Sequence, residues 1–205
     1  MGMSKILVGL SVSLDGYIAG PDDGVELPLG RGGERLFTWM SAGPESNRVD
    51  RWLAPPDASV PVVQSWFTDC GAIISGRRTF DIANGWSGGH PVDVPIFVLT
   101  HEPPTEGEWS PRVEFATDLD DAVERAGKVA GDKYVSISGA SIAQQLLRDG
   151  RLDEVHLDLT PCLLGGGVRL LEHFGPDPID LEQIGATPSE GVTHLRYRVV
   201  RSAAA

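Results

Sequence analysis

The chain has 205 residues, of which 41% are hydrophobic and 22% are charged, and its net charge is −12. This length predicts one domain over residues 1–205, since domains mostly run about 100–200 residues, and the composition excludes a largely disordered chain. The acidic balance argues against nucleic acid and anionic membranes as main partners, because both require basic patches on the protein.

Apolar runs in the first half of the chain predict buried strands at residues 5–12, 72–75 and 94–99. They are hydrophobic on both faces, as expected for central strands of a largely parallel sheet that is covered on both sides. A short helix over residues 77–83 is predicted to follow the second strand directly. Residues 20–61 are polar and irregular, with one helical piece near residues 34–41, which predicts a variable insertion or a lid.

Helical periodicity dominates the next part of the chain. Apolar residues recur at three- and four-residue spacing over residues 118–131, with Thr117 as the expected N-cap and Gly131 as the stop. A strand at residues 134–138 and a second helix over residues 140–149 follow, and Gly150 lies beyond the end of that helix.

The last third of the chain alternates polar and apolar residues at 154–160 and again at 192–199. Period-two alternation is typical of antiparallel strands that are covered on one face only. The segment 154–160 is predicted to be an edge strand, through which two copies of the chain would pair as a homodimer. We therefore predict an α/β fold: a mixed sheet, mostly parallel with antiparallel C-terminal strands, with helices on both faces.

The N-terminus has no signal-peptide pattern, and no run of about eighteen apolar residues is present. Cys70 and Cys162 stand alone, and no two histidines have the spacing of a helical metal pair. We expect a reduced cytoplasmic protein without a bound metal. The motifs GxGxxG, GxxxxGK[ST], HExxH and GxSxG are also absent, so a standard Rossmann dinucleotide site is not predicted.

Two junctions between a strand and a helix are candidate phosphate sites. In the first, Gly76 follows a buried strand and is followed by Arg77, Arg78 and Thr79. In the second, residues 136–142 pass through small side chains into a helix start, where free N–H groups attract an anion. The first junction could instead be only a capped helix with solvated arginines. The second could be only a tight connection between a strand and a helix, with no bound ligand in either case. Because both junctions follow the carboxyl ends of strands, a single ligand with two phosphates is the more economical interpretation.

A third candidate is the turn around Asp15 and Gly16 after the first strand, which an Asp-Gly turn explains equally well without function. Flat side chains that could stack on a heterocyclic substrate are Trp39, Trp52, Trp66 and Trp86. Trp86 is the preferred substrate contact among them. Packing in a core or a lid is the alternative for each of the four.

In their order along the chain, five segments together resemble the dihydrofolate reductase-like superfamily. The segments are SLDGYIAG at residues 13–20, ISGRRTF at 74–80, VPIFVLTH at 94–101, SISGASIAQQLL at 136–147 and LDEVHLDLTPCLLGGGVRLL at 152–171. The closer resemblance is to the RibD C-terminal type, the reductase domain of the riboflavin-biosynthesis deaminase–reductase.

The resemblance implies an NADPH-dependent reductase that transfers a hydride to a flat heterocyclic small molecule. That molecule would be a pyrimidine of the 5-amino-6-ribosylaminouracil type or a pterin-like compound. The alternative is a nucleotide-binding module of the same fold without catalytic turnover. The cofactor residues carried over from the family are Ser11, Ile18, Gly76, Arg77, Arg78, Thr79, Thr100, His101, Ser138, Gly139, Ala140, Ser141 and Ile142.

Asp15 matches a family acidic residue that faces the substrate pocket, so the resemblance implies that it delivers a proton directly or through a water molecule. True dihydrofolate reductases carry a carboxylate early in the helix before the GR[RHK]T strand. The helix predicted around residues 61–69 has no carboxylate at its start. The zinc motif of the family's deaminase domain is absent as well, so any role in the riboflavin pathway would be that of the reductase half.

Overall fold

An eight-stranded mixed sheet forms the centre of the computed structural model, which describes residues 4–201. The predicted domain bounds at residues 1 and 205 therefore lie outside the described residues. The strands are β1 (Ile6–Ser13), β2 (Tyr17–Ala19), β3 (Cys70–Gly76), β4 (Ile96–Leu99), β5 (Val113–Ala116), β6 (Tyr134–Ser138), β7 (Glu154–Thr160), β8 (Val168–Arg169), β9 (Leu181–Ser189) and β10 (Val192–Val199). Their order in the main sheet is β5-β4-β3-β6-β1-β7-β10-β9, and β2 pairs with β8 separately.

Strand direction divides the main sheet into two parts. All pairings from β5 through to β7 are parallel. The last two strands differ, because β10 runs antiparallel to both β7 and β9. The predicted mixed sheet, mostly parallel with antiparallel C-terminal strands, is confirmed.

Within residues 4–201, four α-helices flank the sheet: α1 (Val60–Asp69), α2 (Arg77–Ile82), α3 (Leu119–Ala130) and α4 (Ala140–Arg148). The helices α3 and α4 pack on one face, where their apolar side chains bury Val8, Ile74 and Ile137 of the central strands. On the opposite face, α1 packs with Trp39 and Leu53 of the preceding segment. The sheet is therefore covered by helices on both faces, as predicted.

The start of α3 differs from the prediction by one residue. Asp118 has the extended backbone of an N-cap (φ −138°, ψ 159°), and its carboxylate accepts a hydrogen bond of 2.8 Å from the Asp121 N–H. The prediction of Thr117 as the N-cap is wrong. A carboxylate at this position satisfies a free N–H group and also lies at the positive end of the helix dipole.

The strand at residues 154–160 is not an edge strand. β7 pairs with β1 on one side and with β10 on the other, so its backbone hydrogen-bonding groups are used on both sides. The predicted edge position is wrong, and two copies of the chain cannot pair through this strand. Among the described residues, the sheet ends at β5 and β9 instead.

The segment before α1 folds against the rest of the molecule. Its helical piece is a 3₁₀ helix over Gly33–Ser41, whose Leu36 and Trp39 side chains are fully buried. Trp39 packs with Leu53, Val63 and Val192 in a small core. In the part of the chain that the structure describes, no helix combines the length and apolar character needed to cross a bilayer.

Candidate functional site

The two predicted phosphate junctions lie side by side. β3 and β6 are parallel neighbours with Ser75 opposite Ser138, so α2 and α4 begin next to each other at the same edge of the sheet. Gly139 has a positive φ of 124°, and a Cβ there would lie 3.3 Å from the Thr79 hydroxyl oxygen. The missing side chain therefore leaves a narrow space between the first junction and the N–H groups at the start of α4.

A cavity of about 430 Å³ opens beside these junctions, at the carboxyl ends of β4 and β5. We call it the strand-end cavity. It is lined by Leu99, Thr100, His101, Thr117, Asp118, Leu119, Gln145 and Arg77. The Arg77 guanidinium is held by the Asp81 carboxylate and by the Glu102 carbonyl oxygen, each at 2.8 Å. Three residues predicted to bind the cofactor, Arg77, Thr100 and His101, thus share one cavity.

Arg78 makes a different set of contacts. Its guanidinium binds both carboxylate oxygens of Asp23, at 3.1 and 2.8 Å, and it also donates to the Asp23 carbonyl oxygen at 2.6 Å. Because Asp23 belongs to the segment before α1, this ion pair ties that segment to α2. Arg78 is exposed and does not line the strand-end cavity.

A second cavity, of about 360 Å³, lies between the sheet and α1, and we call it the sheet cavity. Three neighbouring strands contribute residues at alternate positions: Gly9 and Ser11 of β1, His156 and Asp158 of β7, and His194 and Arg196 of β10. Trp66 of α1 lines the opposite side. The expectation that only the apolar face of residues 154–160 is covered is wrong, because the polar face lies beneath α1.

The strand register arranges these side chains in rows across the sheet. Ser11, Asp158 and His194 are direct neighbours, and Gly9, His156 and Arg196 form the next row on the same face. A Cβ at Gly9 would lie 3.6 Å from a Leu7 methyl carbon and 3.7 Å from the His156 Cβ. A methyl group at this position would make ordinary contacts, whereas a larger side chain would extend into the sheet cavity.

Ser138 connects the two parts of the site. It is the last residue of β6, directly before Gly139 at the second strand–helix junction (residues 136–142), and it also lines the sheet cavity. We call this second junction the Gly139 junction. A ligand that binds at the α4 start can therefore extend toward Ser11 and the sheet cavity. Ser11 itself is buried, and its hydroxyl accepts a hydrogen bond from the Trp39 indole nitrogen at 3.2 Å.

A continuous chain of hydrogen bonds includes Asp158 and His194 of the row that contains Ser11. The Asp158 carboxylate is 2.6 Å from Nδ1 of His194, and Nε2 of the same ring is 2.8 Å from the Ser59 hydroxyl. Ser59 in turn contacts the Ser189 hydroxyl at 2.8 Å. His194 and Ser59 have exposed fractions of only 2% and 0%, so this chain is shielded from bulk water.

Charged groups at the other end of the sheet cavity are unevenly paired. Glu154 binds Lys5 at 2.8 Å and His156 at 2.9 Å, and burial together with the nearby Arg196 charge lowers the pKa of His156. Arg196 itself makes no ion pair with the described residues, and its hydrogen bond to the Ser65 hydroxyl is long, at 3.5 Å. Its positive charge is therefore available to a ligand.

Asp15 is held by three donors outside both cavities. Its carboxylate accepts hydrogen bonds from the Ser13 hydroxyl at 2.6 Å and from the N–H groups of Leu164 and Gly165 at 3.1 and 2.7 Å. The Ser13 hydroxyl, followed by the two N–H groups, lowers the pKa of Asp15 to about 2. At neutral pH the group is a carboxylate that fixes the glycine-rich connection after β7.

Trp86 lines neither cavity. Its ring packs edge-on against Phe80 and His90, with centroids 6.2 and 5.9 Å apart. Among the four tryptophans considered from the sequence, Trp66 lines the sheet cavity. The Trp39 ring packs edge-on against the Trp66 ring.

The remaining predicted cofactor residues lie around the α4 start and the main core. Ala140 and Ile142 are buried and pack in the core, whereas Ser141 is exposed in the first turn of α4. Ile18 is partly buried against the same core. Gly76 has ordinary space around it, since a Cβ there would lie 3.9 Å from a methyl carbon of Ile142.

Residues 4–194 match the family model of the RibD C-terminal domain. The chain belongs to this family. The sequence-based prediction of the family is confirmed, and the match covers the strand-end cavity, both junctions and all of the sheet cavity except Leu195 and Arg196. No curated protein matches the chain.

Solved structures similar to this RibD C-terminal domain have low sequence identity. A protein assigned to riboflavin biosynthesis from Shewanella sp. PV-4 is 23% identical, with a TM-score of 0.67 and coverage of 96% of this chain and 99% of the other. The dihydrofolate reductase from Enterococcus faecalis, complexed with NADP(H), is 14% identical with a TM-score of 0.58, and the coverage is 95% and 96%. These similarities show the shared dihydrofolate reductase-like fold.

A longer protein is similar over part of its length. The diaminohydroxyphosphoribosylaminopyrimidine deaminase/5-amino-6-(5-phosphoribosylamino)uracil reductase of Thermotoga maritima is 16% identical, with a TM-score of 0.62. The alignment covers 97% of this chain and 57% of that protein.

Sequence reasoning did not single out Gly9, Asp158, His194 or Arg196 as site residues of this RibD C-terminal domain. The polar positions of residues 154–160 and 192–199 were the available signal, but alternation alone does not show whether a polar face meets water or a cavity. The packing of α1 over these strands decides that question.

Proposed function

We propose that this RibD C-terminal domain is an NADPH-dependent reductase that acts on a flat heterocyclic small molecule. The observation that carries the proposal is the space at Gly139, which directly follows Ser138 of the sheet cavity and faces Thr79, two residues after Arg77 of the strand-end cavity. Such an arrangement suits an elongated ligand with phosphates in its middle and an aromatic group at each end. The family and the NADP(H) complex of the Enterococcus faecalis enzyme support the same choice.

The residues at the junction fit the phosphates of such a cofactor. The N–H groups at the α4 start and the Thr79 hydroxyl would bind the pyrophosphate, because Gly139 leaves space that a Cβ would fill. Arg77, Thr100 and His101 in the strand-end cavity would bind the 2′-phosphate, which distinguishes NADPH from NADH. When bound, the cofactor would supply a hydride beside Ser11.

The sheet cavity fits the substrate. Trp66 offers a flat surface for a heterocyclic ring, while Ser11 and Asp158 offer hydrogen-bonding groups. The unpaired Arg196 would attract an anionic substituent such as a phosphate. Close positioning of the substrate beside the cofactor would supply most of the rate acceleration. The pyrimidine class rests on the family and on the Thermotoga maritima name.

The experiment is a calorimetric titration of the full chain and of Arg77→Ala with NADPH and with NADH. We expect Arg77→Ala to weaken NADPH binding by about ten- to a hundredfold and to change NADH binding little, because a charge-assisted hydrogen bond contributes about 1.5–3 kcal/mol. The matched control is Arg148→Ala, since Arg148 is exposed at the far end of α4. Equal losses for both nucleotides would reject the 2′-phosphate assignment, and no binding of either would reject the reductase.

A nucleotide-binding module without turnover is the second candidate. The start of α1 favours it, because this helix carries no acidic residue in its first turn, where true dihydrofolate reductases have a carboxylate. Oxidation of NADPH by a substrate separates the two candidates. Tight NADPH binding without oxidation by any pyrimidine or pterin would favour the binding module.

A further inference from the structure

Four hydrogen-bonded side chains connect the protein surface to the sheet cavity. Ser189, the last residue of β9, is partly exposed, and its hydroxyl lies 2.8 Å from the Ser59 hydroxyl. The Ser59 oxygen is 2.8 Å from Nε2 of His194, and Nδ1 of the same ring is 2.6 Å from Oδ1 of Asp158. Ser59 and His194 are buried, whereas Asp158 lines the cavity. We call these four residues the hydrogen-bonded chain.

The position of Ser59 in its helix does not explain its hydroxyl contacts. Ser59 occupies the N-cap position of α1, where a serine hydroxyl ordinarily accepts a hydrogen bond from an N–H group of the first turn. Its side chain makes no such bond, and Pro61 in that turn has no N–H group. The hydroxyl bridges His194 and Ser189 instead.

The hydrogen bonds have a single orientation when His194 is neutral and Asp158 is ionised. A carboxylate only accepts hydrogen bonds, so Nδ1 carries the ring proton and Nε2 is an acceptor. Ser59 then donates to Nε2, and because a hydroxyl has one proton, its oxygen accepts from Ser189. Each donor therefore points from the surface toward the cavity, as proton transfer in that direction requires.

The order Ser59, His194, Asp158 is also that of a nucleophilic triad. Ser59 has no exposed surface, so its hydroxyl cannot reach a substrate carbonyl. Among the described residues, no donor is bonded to the second carboxylate oxygen of Asp158, Oδ2. The hydrogen-bonded chain can therefore exchange a proton with the contents of the cavity through this one oxygen.

We propose that the hydrogen-bonded chain is a proton path between bulk water at Ser189 and the sheet cavity at Asp158. Its two ends are open and its middle is buried, so a proton can cross without water entering the packing between α1 and the sheet. The existence of the path does not depend on the proposed function. Its use rests on that function, because a reductase consumes one proton for each substrate molecule that it reduces.

The path balances the reduction of a C=N or C=O bond. The cofactor, when bound, would supply the hydride for carbon, and the nitrogen or oxygen then requires one proton. A hydronium ion gives a proton to the Ser189 hydroxyl, which passes one to Ser59. Ser59 passes one to Nε2 of His194, and Nδ1 releases one to Oδ1 of Asp158. The carboxyl group releases one from Oδ2 to the substrate, so the chain itself gains and loses no proton.

The test is the exchange of the His194 Nδ1 proton with water, measured by NMR on the full chain without nucleotide or substrate. Each rate is divided by that of the same group in an unstructured peptide, which gives its protection. Without a path, this buried proton would exchange only through local opening, as the backbone N–H groups of β10 around it do. We expect its protection to be at least about tenfold lower than theirs, because the path offers a route from each end.

Two substitutions close one end each. Ser59→Ala interrupts the route from the surface. Asp158→Asn keeps an oxygen that accepts the Nδ1 hydrogen bond, but an amide does not take up and release protons near neutral pH. Each single variant leaves the other route open, so fast exchange should persist in both. The double variant closes both routes and should slow exchange at least about tenfold, to the protection of the β10 N–H groups.

Two further double variants identify the surface end. Ser189→Ala combined with Asp158→Asn should slow exchange as much as Ser59→Ala does in that background. The matched control is Ser65→Ala with Asp158→Asn. Ser65 is also on α1 and lines the cavity, but its hydroxyl donates to the Val62 carbonyl at 2.7 Å, outside the hydrogen-bonded chain. Exchange in this control should stay fast.

Three outcomes would overturn the proposal. The first is a His194 Nδ1 proton as protected as the β10 N–H groups in the unaltered chain. The second is slow exchange in either single variant, which would mean that the remaining end is closed. The third is fast exchange in the folded double variants that include Ser59→Ala or Ser189→Ala, with circular dichroism to verify the fold. These measurements use no nucleotide, so a failed NADPH titration leaves their outcome unaffected.

Discussion

The carboxylate of Asp15 shows how local contacts decide what a single residue can do. The Ser13 hydroxyl and two N–H groups lower its pKa to about 2, below the ordinary value of 3.8. Because the folded state lowers this pKa, the ionised form stabilises the fold above about pH 4. That contribution is lost as the pH falls toward 2. Asp15 therefore fits a role in holding the connection after β7.

Replacing Asp15 should loosen that connection. In Asp15→Asn the side chain keeps one acceptor oxygen and loses its charge, so at least one N–H group of Leu164 and Gly165 loses its partner. We expect faster amide hydrogen exchange at these two residues and a smaller loss of stability between about pH 4 and pH 2. Asp22→Asn is the control, since Asp22 forms an exposed ion pair with Arg31. Unchanged exchange in Asp15→Asn would contradict the anchoring role.

The N-cap of α3 is a feature of one element that can be tested directly. Asp118 accepts the Asp121 N–H, whereas Thr117 lies one residue outside the cap. We expect Asp118→Ala to lower the free energy of unfolding by about 1 kcal/mol, and Thr117→Ala to have a much smaller effect. Urea denaturation of both variants measures the difference. A larger loss for Thr117→Ala would restore the original sequence-based assignment.

Most elements with a strong periodic signal could be predicted from the sequence. The strand at residues 134–138 has its predicted bounds, and α3 and α4 differ from theirs by one residue at one or both ends. β5 and β9 were missed: β5 has only four residues, and most of β9 is exposed, so it lacks a buried apolar face. Their strand conformation depends on pairing with β4 and β10, which a local pattern does not contain.

The proposed cofactor side of the site has a clearer signal in the sequence than the proposed substrate side. Strand–helix junctions are local in sequence, so Gly76, Thr79 and Gly139 could be identified from short segments. The sheet cavity is assembled from residues far apart in the chain, such as Gly9, Asp158 and His194. Their meeting depends on strand order and register, and neither can be derived from one sequence.

At the scale of the whole molecule, the described residues form one cavity at the strand ends and another beneath α1, and Ser138 of the second cavity directly precedes Gly139 and the start of α4. If the strand-end cavity binds the 2′-phosphate end of the cofactor and the sheet cavity binds the substrate, a side chain that fills the sheet cavity should leave ligand binding in the strand-end cavity intact. Gly9 lies in the sheet cavity, where a Cβ would make ordinary contacts of 3.6 and 3.7 Å. A methyl group is therefore tolerated there, whereas a larger side chain would occupy the space of a ring.

We expect Gly9→Leu to abolish the binding of heterocycles in the sheet cavity while the protein still binds adenosine 2′,5′-bisphosphate, which in the proposed binding mode would reach only the strand-end cavity. Gly9→Ala is the matched control and should bind both ligands, because its methyl group adds little volume. Calorimetric titrations with each ligand, together with thermal unfolding to confirm the fold, measure these effects. Loss of both ligands in a folded Gly9→Leu protein would mean that the two cavities do not act as separate sites. Unchanged heterocycle binding would instead place the substrate outside the sheet cavity.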